Sequence, residues 1–253
     1  MLSKINIKFI KSLRLKKYRE INKKFIVEGD KVTRELIHSN IETEIIFALQ
    51  TWAKKNINPK IANKIRIINE AELKKISALK TPNQVLAIAK IPENYTDNNL
   101  ENALCLVLED IQDPGNFGTI IRTADWFGIK SIFCSENTVD LFNEKVIQSS
   151  MGSVFRINIV YMDIIDLIEK NKNKIPVFGT FTTGDNIFNL NLPPKGLIVF
   201  GNEGNGISEK LEKQIDNKIS IPNYSQNEDK TESLNVAAAV AIVCAEFRKN
   251  FKK

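Results

Sequence analysis

The chain has 253 residues, of which 43% are apolar, 8% aromatic and 26% charged. Such a balance excludes disordered, collagenous and coiled-coil chains and supplies enough apolar surface for a buried core. Its formal net charge is +6, and its three cysteines, Cys105, Cys134 and Cys244, lie far apart in apolar runs without CxxC spacing, which argues against a disulfide framework or a zinc knuckle and for a reducing compartment.

The N-terminal stretch MLSKINIKFIKSLRLKKYR lacks the continuous apolar segment and small-residue cleavage site of a secretory leader. The longest near-continuous apolar run, Val236 to Ala245, is about half of the roughly 20 residues that a bilayer crossing needs. A cytoplasmic protein with no transmembrane helix and no membrane partner is expected. Residues 1–95 carry 20 Lys and Arg against 9 Asp and Glu, a balance of +11, whereas residues 96–253 carry 16 against 21, a balance of −5. A basic first part beside a mildly acidic second part fits a polyanion-binding module joined to a module of different function; a solvated lysine surface is the competing explanation. The basic residues concentrate at Lys11, Arg14, Lys16, Lys17, Arg19, Lys23 and Lys24.

In chain order, FIVEG (25–29), EIIFAL (44–49), IRII (65–68) and QVLAIA (84–89) read as short strands, with helical patterns such as DKVTRELIHS and NEAELKKISAL between them. The polar stretch PENYTDNNLENA (92–103), with Pro and Asn as breakers, marks a boundary, so domains of 1–95 and 96–253 are expected. Beyond it come stronger strands, ALCLVLE, SIFCS, RINIVY, IPVFGTF, GLIVFG and KISIPN, again alternating with helical stretches. Strands that are apolar on both faces and alternate with helices predict α/β domains with covered parallel sheets. Ligands of such sheets bind beyond the carboxyl ends of strands, and three segments stand out there.

In LEDIQDPGNFGTIIRTADWFG (108–128) a strand gives way to Asp110 and Asp113, Pro114 and Gly115 break the chain, and Asn116 opens a helix that carries Arg122. Thr119, Arg122 and Thr123 fall on one helical face, where a guanidinium suits a phosphate or carboxylate. Capping by Asn116 and a surface ion pair from Arg122 to Asp113 or Asp125 would explain the same residues structurally. In GLIVFGNEGNGIS (196–208) a strand runs into Gly201, Asn202, Glu203, Gly204, Asn205 and Gly206. This loop is neither a P-loop nor GxGxxG, and its carboxylate disfavours a pyrophosphate and favours a ligand with a cationic part. Ser208 as a helix cap explains only its end. In KISIPNYSQNEDKTESLNVAAAVAIVCAEF (218–247) a strand ends at Ile221 and Pro222, and Ser233, Leu234 and Asn235 open a helix rich in small residues, of which Ser233 could be merely the cap.

Together, in order and spacing, these three segments resemble the sequence motifs of the SpoU (TrmH-like) family of SPOUT methyltransferases, over about residues 103–250. FIVEGDKVTRELI looks like the L30e-like substrate-binding domain that many ribosomal-RNA members carry. The resemblance implies transfer of a methyl group from S-adenosylmethionine to a ribose 2′-hydroxyl in RNA, most plainly ribosomal RNA, by a homodimer with a deep trefoil knot. It places Gly201, Ile221 and Leu234, with Asn202 and Gly206 of the same loop, at the cofactor, and Asn116, Arg122, Glu203, Ser233 and Asn235 in the polar active-site set. Arg122, whose pKa above about 12 makes it a poor base, is expected to position RNA for attack. Arg14, Lys16, Lys17, Arg19, Lys23 and Lys24 are expected to contact RNA phosphates. The connection NYSQNEDKTE (223–232) is about four residues longer than the family's usual one and lacks its glycine, which we read as a variable insertion. Transfer RNA as substrate and an inactive RNA-binding assembly factor are the alternatives.

The lone His38 is expected at a helix surface or end, Trp52 and Trp126 in the core or at helix ends, and Phe9, Tyr18 and Phe25 either on an amphipathic face or stacked on bases.

Overall fold

The structure, a computed structural model, describes residues 2–92, 100, 102–225 and 232–250. It divides into two compact units, one made of Met1–Glu93 with Asp140–Arg156, the other of Asn94–Val139 with Ile157–Lys253. Most of the predicted boundary stretch, residues 93–99 and 101, lies outside the described residues. A linear boundary does not anticipate that residues 140–156 join the first unit.

The first unit runs α1 (Lys4–Ser12), α2 (Lys16–Asn22), β1 (Lys24–Glu28), α3 (Asp30–His38), β2 (Thr43–Ala48), α4 (Gln50–Asn56), β3 (Ile65–Ile67), α5 (Glu70–Ile76) and β4 (Val85–Lys90). The four predicted strands are all present, but the sheet is mixed. Its order is β1-β4-β2-β3, with β4 antiparallel to both neighbours and only β2 and β3 parallel. A strand with both faces buried, as β4 is from Val85 to Ala89, reports how much of it is covered, not which way its neighbours run, and that is why the expectation of a parallel sheet fails here. α5 begins with a capping box: Asn69 Oδ1 accepts from Glu72 N at 2.9 Å, and Glu72 Oε2 accepts from Asn69 N at 3.2 Å. α7 (Glu144–Ser150) also belongs to this unit, and Phe142 and Phe155 on either side of it pack against Phe25 of β1 with ring centroids 4.5 and 6.4 Å away.

The second unit contains β5 (Leu104–Leu108), α6 (Pro114–Trp126), β6 (Ser131–Cys134), β7 (Asn158–Tyr161), α8 (Ile164–Asn171), β8 (Val177–Phe181), β9 (Asp185–Asn186), β10 (Gly196–Phe200), α9 (Glu209–Glu212), β11 (Asn217–Ser220) and α10 (Val236–Arg248). Its seven strands have the order β7-β6-β5-β10-β8-β11-β9, and every pairing is parallel, as predicted. The central strands LCLVL and GLIVF are buried at every residue, and Cys105, Val107, Val177, Leu197 and Val199 share one apolar cluster with Leu167, Ile168 and Leu211 from the helices. α6 and α10 pack on each other, and Phe247 of α10 meets Phe178 of β8 edge-on at 5.1 Å.

Register places the functional turns. Phe200 pairs with Leu108, Val199 with Gly179, and Ser220 with Phe181. The adjacent strands β5, β10, β8 and β11 therefore end at one level, and the turns that follow them emerge side by side along one edge.

Candidate active site

Each of the three motif segments is built at that edge by local chemistry. After β5, Asp113 caps α6 by accepting from Asn116 N at 2.8 Å, and Pro114 occupies the first turn, where its missing N–H costs nothing. Asn116 is thus not the cap that its position suggests. Its side chain instead bridges two other segments. Asn116 Nδ2 donates to Glu203 Oε1 at 3.1 Å, and Asn116 Oδ1 accepts from Asn235 Nδ2 at 3.0 Å. Asn235, rather than Ser233, caps α10, its Oδ1 accepting from Ala237 N and Ala238 N at 3.0 and 3.3 Å. One asparagine amide therefore joins all three segments. Glu203 receives two longer contacts as well, from the N–H groups of Gln112 and Asp113, each at 3.4 Å.

The turn after β10 is closed on itself. Asn202 and Gly206 exchange two backbone hydrogen bonds of 2.9 Å, and Asn202 Oδ1 accepts from Gly204 N and Asn205 N at 2.9 and 3.1 Å. Gly201 must be glycine: a Cβ there would lie 2.1 Å from the Gly206 carbonyl carbon and 2.2 Å from Ile207 N. Ser208 caps α9, in keeping with the capping explanation of that loop end, and its N–H and hydroxyl also reach the carboxylate of Glu109 at 2.8 and 2.7 Å.

Arg122 is exposed and makes no ion pair or hydrogen bond among the described residues, so the alternative pairing with Asp113 or Asp125 is not formed. Thr119, one turn earlier, folds its hydroxyl back to Gly115 O at 2.8 Å, which leaves Arg122 as the exposed, unpaired charge of that face among the described residues. Ser233 is exposed and likewise unpartnered among the described residues. Ile221, directly after β11, is half-buried, and Leu234 is 52% exposed. Residues 226–231 of the long connection lie outside the described residues.

These residues fit S-adenosylmethionine. The loop 201–208 contains a carboxylate and no Lys or Arg, a poor donor set for a phosphate-bearing cofactor and a good one for a neutral adenosyl group attached to a sulfonium. Leu234 and Ile221 supply uncovered apolar area beside that loop's level of the sheet.

The basic cluster of the first unit divides into internal and exposed cations. Arg19 is 3% exposed. It donates to Leu13 O and Arg14 O at 2.9 and 2.7 Å and is paired with Asp140, so it is a structural tie and not an RNA contact. Arg14 is half-buried, donates to Ile76 O at 2.8 Å and lies 3.5 Å from Glu144; burial raises the pKa of the Glu144 carboxyl and Arg14 opposes that shift. Lys24 pairs with Glu44 at 2.7 Å and sits over the Phe9 ring. Lys16, Lys17 and Lys23 stay exposed. Charge density along the chain does not reveal which cations the fold uses internally, because a buried arginine and a solvated lysine look alike in sequence. Phe25 is fully buried, Phe9 lies under Lys24, and Tyr18 alone of that trio remains exposed. His38 sits exposed in the last turn of α3, its Nδ1 2.7 Å from Arg34 O. Trp52 is buried with Nε1 donating to Asp30 at 2.7 Å, whereas Trp126, at the end of α6, is 85% exposed.

Residues 103–245 match the SpoU rRNA Methylase family, and residues 4–87 match the MRM3-like substrate binding domain. The chain is 31% identical over 245 residues to the 23S rRNA (guanosine(2553)-2′-O)-methyltransferase RlmP of Bacillus subtilis, covering 96% of this chain and 95% of that one. The solved structure of a TrmH-family protein from Porphyromonas gingivalis superposes with a TM-score of 0.87 at 34% identity, over 98% of this chain and 99% of the other. An AdoMet-bound rRNA methyltransferase from Sinorhizobium meliloti gives 0.85 at 25% identity, over 100% and 98%.

Proposed function

Because the chain belongs to the SpoU rRNA methylase family, we propose that it transfers a methyl group from S-adenosylmethionine to a ribose 2′-hydroxyl in ribosomal RNA. The observation that carries this reading is the Asn116 amide, which bonds Glu203 on one side and Asn235 on the other and so sets three turns around one place at the strand ends. The cofactor supplies a methyl group made electrophilic by its sulfonium. Gly201, Asn202 and Gly206 shape the turn that holds it, with Ile221 and Leu234 against its apolar parts. Arg122, unspent on any protein acceptor among the described residues, grips a phosphate of the RNA and aligns the ribose hydroxyl in line with the methyl. Asn116, bonded to both Glu203 and Asn235, fixes the turns, and the exposed Ser233 offers a hydroxyl two residues before Asn235. Alignment of this kind supplies much of the acceleration when the donor is already reactive.

The exposed Lys16, Lys17 and Lys23 support RNA binding by the first unit, whose residues match a substrate binding domain. We read the active form as a cytoplasmic homodimer with a knotted catalytic unit. Three unpaired, buried cysteines support a reducing compartment. The exposed Trp126 supports a partner surface, and the backbone-to-backbone approach at Gly201 supports a tightly threaded turn.

Incubation with methyl-labelled S-adenosylmethionine and total RNA, followed by digestion to nucleosides, tests the reading. Label in 2′-O-methyl nucleosides of ribosomal RNA is expected. Label confined to bases, to transfer RNA, or absent would overturn it.

A further inference from the structure

The polypeptide leaves β5 through Glu109 and Asp110, and these two residues hold the cofactor turn at both ends. Glu109 takes its far end through Ser208 N and Oγ. The carbonyl of Asp110 takes its near end, accepting from Asn202 Nδ2 at 2.8 Å. Asn202 then organises the amides of Gly204 and Asn205. For its carbonyl to face Asn202, Asp110 adopts φ +54°, and it is the one non-glycine residue of the second unit, among those described, with left-handed backbone. Aspartate tolerates that region better than most residues but at some cost.

The conformation is held by a dedicated clamp. Asp110 N donates to Ser135 Oγ at 2.8 Å, and the Ser135 hydroxyl donates to Asp110 Oδ1 at 2.6 Å. Asn137 Nδ2 reaches the other carboxylate oxygen at 3.4 Å. Ser135 immediately follows β6, so the neighbouring strand's exit fixes the bend. Beyond Asp110 the redirected chain brings the N–H groups of Gln112 and Asp113 to Glu203.

We propose that Asp110 is a positioning residue for the methyl-transfer site: its carboxylate, locked by Ser135, sets the left-handed bend that aims its carbonyl at Asn202 and thereby holds the cofactor turn and Glu203 in working register. This rests on the methyltransferase reading above. Both oxygens of this carboxylate are spent on Ser135 and Asn137, so its removal is expected to loosen the turn and leave RNA affinity nearly unchanged.

The test uses the full chain with Asp110→Ala, Asp110→Asn and Ser135→Ala. Calorimetry with S-adenosylmethionine in the absence of RNA is expected to show Asp110→Ala binding about tenfold more weakly, about 1.4 kcal/mol, while the Kd for ribosomal RNA stays within about twofold of the parent, because phosphate contacts set that affinity. Asp110→Asn, which keeps tolerance of positive φ and an oxygen for Ser135, is expected to recover affinity to within about threefold, and Ser135→Ala to fall between the two. Exchange of the Gly204 and Asn205 amides is expected to quicken in Asp110→Ala and Ser135→Ala and to stay slow in Asp110→Asn. Unchanged cofactor Kd and unchanged exchange in both Asp110→Ala and Ser135→Ala would overturn the proposal, as would equal loss of RNA and cofactor affinity, or an asparagine that rescues nothing. Should Asp110→Ala fail to fold, Ser135→Ala and Asp110→Asn carry the same comparison. A parent protein that binds no S-adenosylmethionine defeats the methyltransferase reading instead, and the amide exchange then still decides whether Asp110 positions the turn.

Discussion

Asn235 Nδ2 donates to Asn116 Oδ1 across 3.0 Å, which ties the first residue before α10 to the first turn of α6. Because Asn116 spends its oxygen on Asn235 and its nitrogen on Glu203, the amide is needed in one orientation, with one donor and one acceptor side.

Replacing Asn116 with Ala removes both bonds, and replacing it with Asp keeps the acceptor but sets a second carboxylate against Glu203. Asn116→Asp is therefore expected to be the worse enzyme, with kcat lower by about 100-fold against about tenfold for Asn116→Ala, since two adjacent carboxylates repel and force the turns apart, whereas alanine only leaves the two bonds unmade. Steady-state methylation of ribosomal RNA by the two variants checks the order; the reverse order would break this account of the amide.

Arg122 carries no structural duty among the described residues, so its removal should cost function without stability. Arg122→Ala is expected to melt within about 0.5 kcal/mol of the parent. Its kcat should fall by about 100-fold or more with cofactor Kd unchanged, and Arg122→Lys should restore little, because an ammonium cannot reproduce the planar fork. Thermal melts paired with methylation rates separate this from a folding defect.

The Gly201 position allows a sharp internal control. A Cβ on Gly201 meets backbone atoms at 2.1 and 2.2 Å, whereas one on Gly204 would come no nearer than 3.5 Å, to the Asn202 side chain. Gly201→Ala is expected to destabilise the unit by about 3 kcal/mol or more, because backbone cannot step aside as a side-chain end can, and to abolish cofactor binding. Gly204→Ala should cost under about 1 kcal/mol. Urea unfolding and calorimetry read both.

The legible parts of this molecule are those governed by burial and by spacing along one segment. Strand runs such as LCLVL and GLIVF announce themselves because both faces are covered, and Asn116, Arg122, Glu203 and Asn235 are legible through the order and spacing of three segments that resemble the SpoU motifs, since taken singly each also has a structural use such as capping. Relations between segments are not legible in the same way. The antiparallel insertion of β4 between β1 and β2 depends on direction, which hydrophobicity does not encode. The role of Asp113 as the α6 cap releases Asn116 for Glu203, yet either residue could cap by propensity. Arg19 resembles its lysine neighbours in every local respect, and only the fold sets Asp140, 121 residues away, beside it.

That last contrast makes a prediction. Arg19→Ala strands Asp140 and two carbonyls in the first unit, so it is expected to destabilise by about 3 to 5 kcal/mol, the usual effect of breaking a buried pair. Changing Lys16, Lys17 and Lys23 together to Ala should leave the melting temperature near that of the parent. It should weaken RNA binding and flatten its salt dependence by about one unit of slope for each phosphate no longer neutralised. Filter-binding titrations across salt concentrations, with melts alongside, distinguish the structural cation from the binding ones.

The three thiols report on the second unit's core. Burial pushes Cys105 up to about 11, with Arg248 pulling slightly the other way, and pushes Cys244 up to about 12 and Cys134 further still. At pH 8 the native thiolate fraction at Cys105 is then about one in a thousand, against about one in four for a free thiol of pKa near 8.5. Disulfide-exchange reagents should label the native protein slowly and all three sites rapidly in denaturant. Because these acids hold their protons more tightly when folded, their contribution to stability is complete below about pH 8.5 and is lost as pH climbs through about 11. Alkaline unfolding should accordingly shift upward when Cys105 and Cys244 are replaced by Ala and Val, each variant being compared with its own stability at pH 7, whereas an unchanged alkaline midpoint would remove the thiols as its cause.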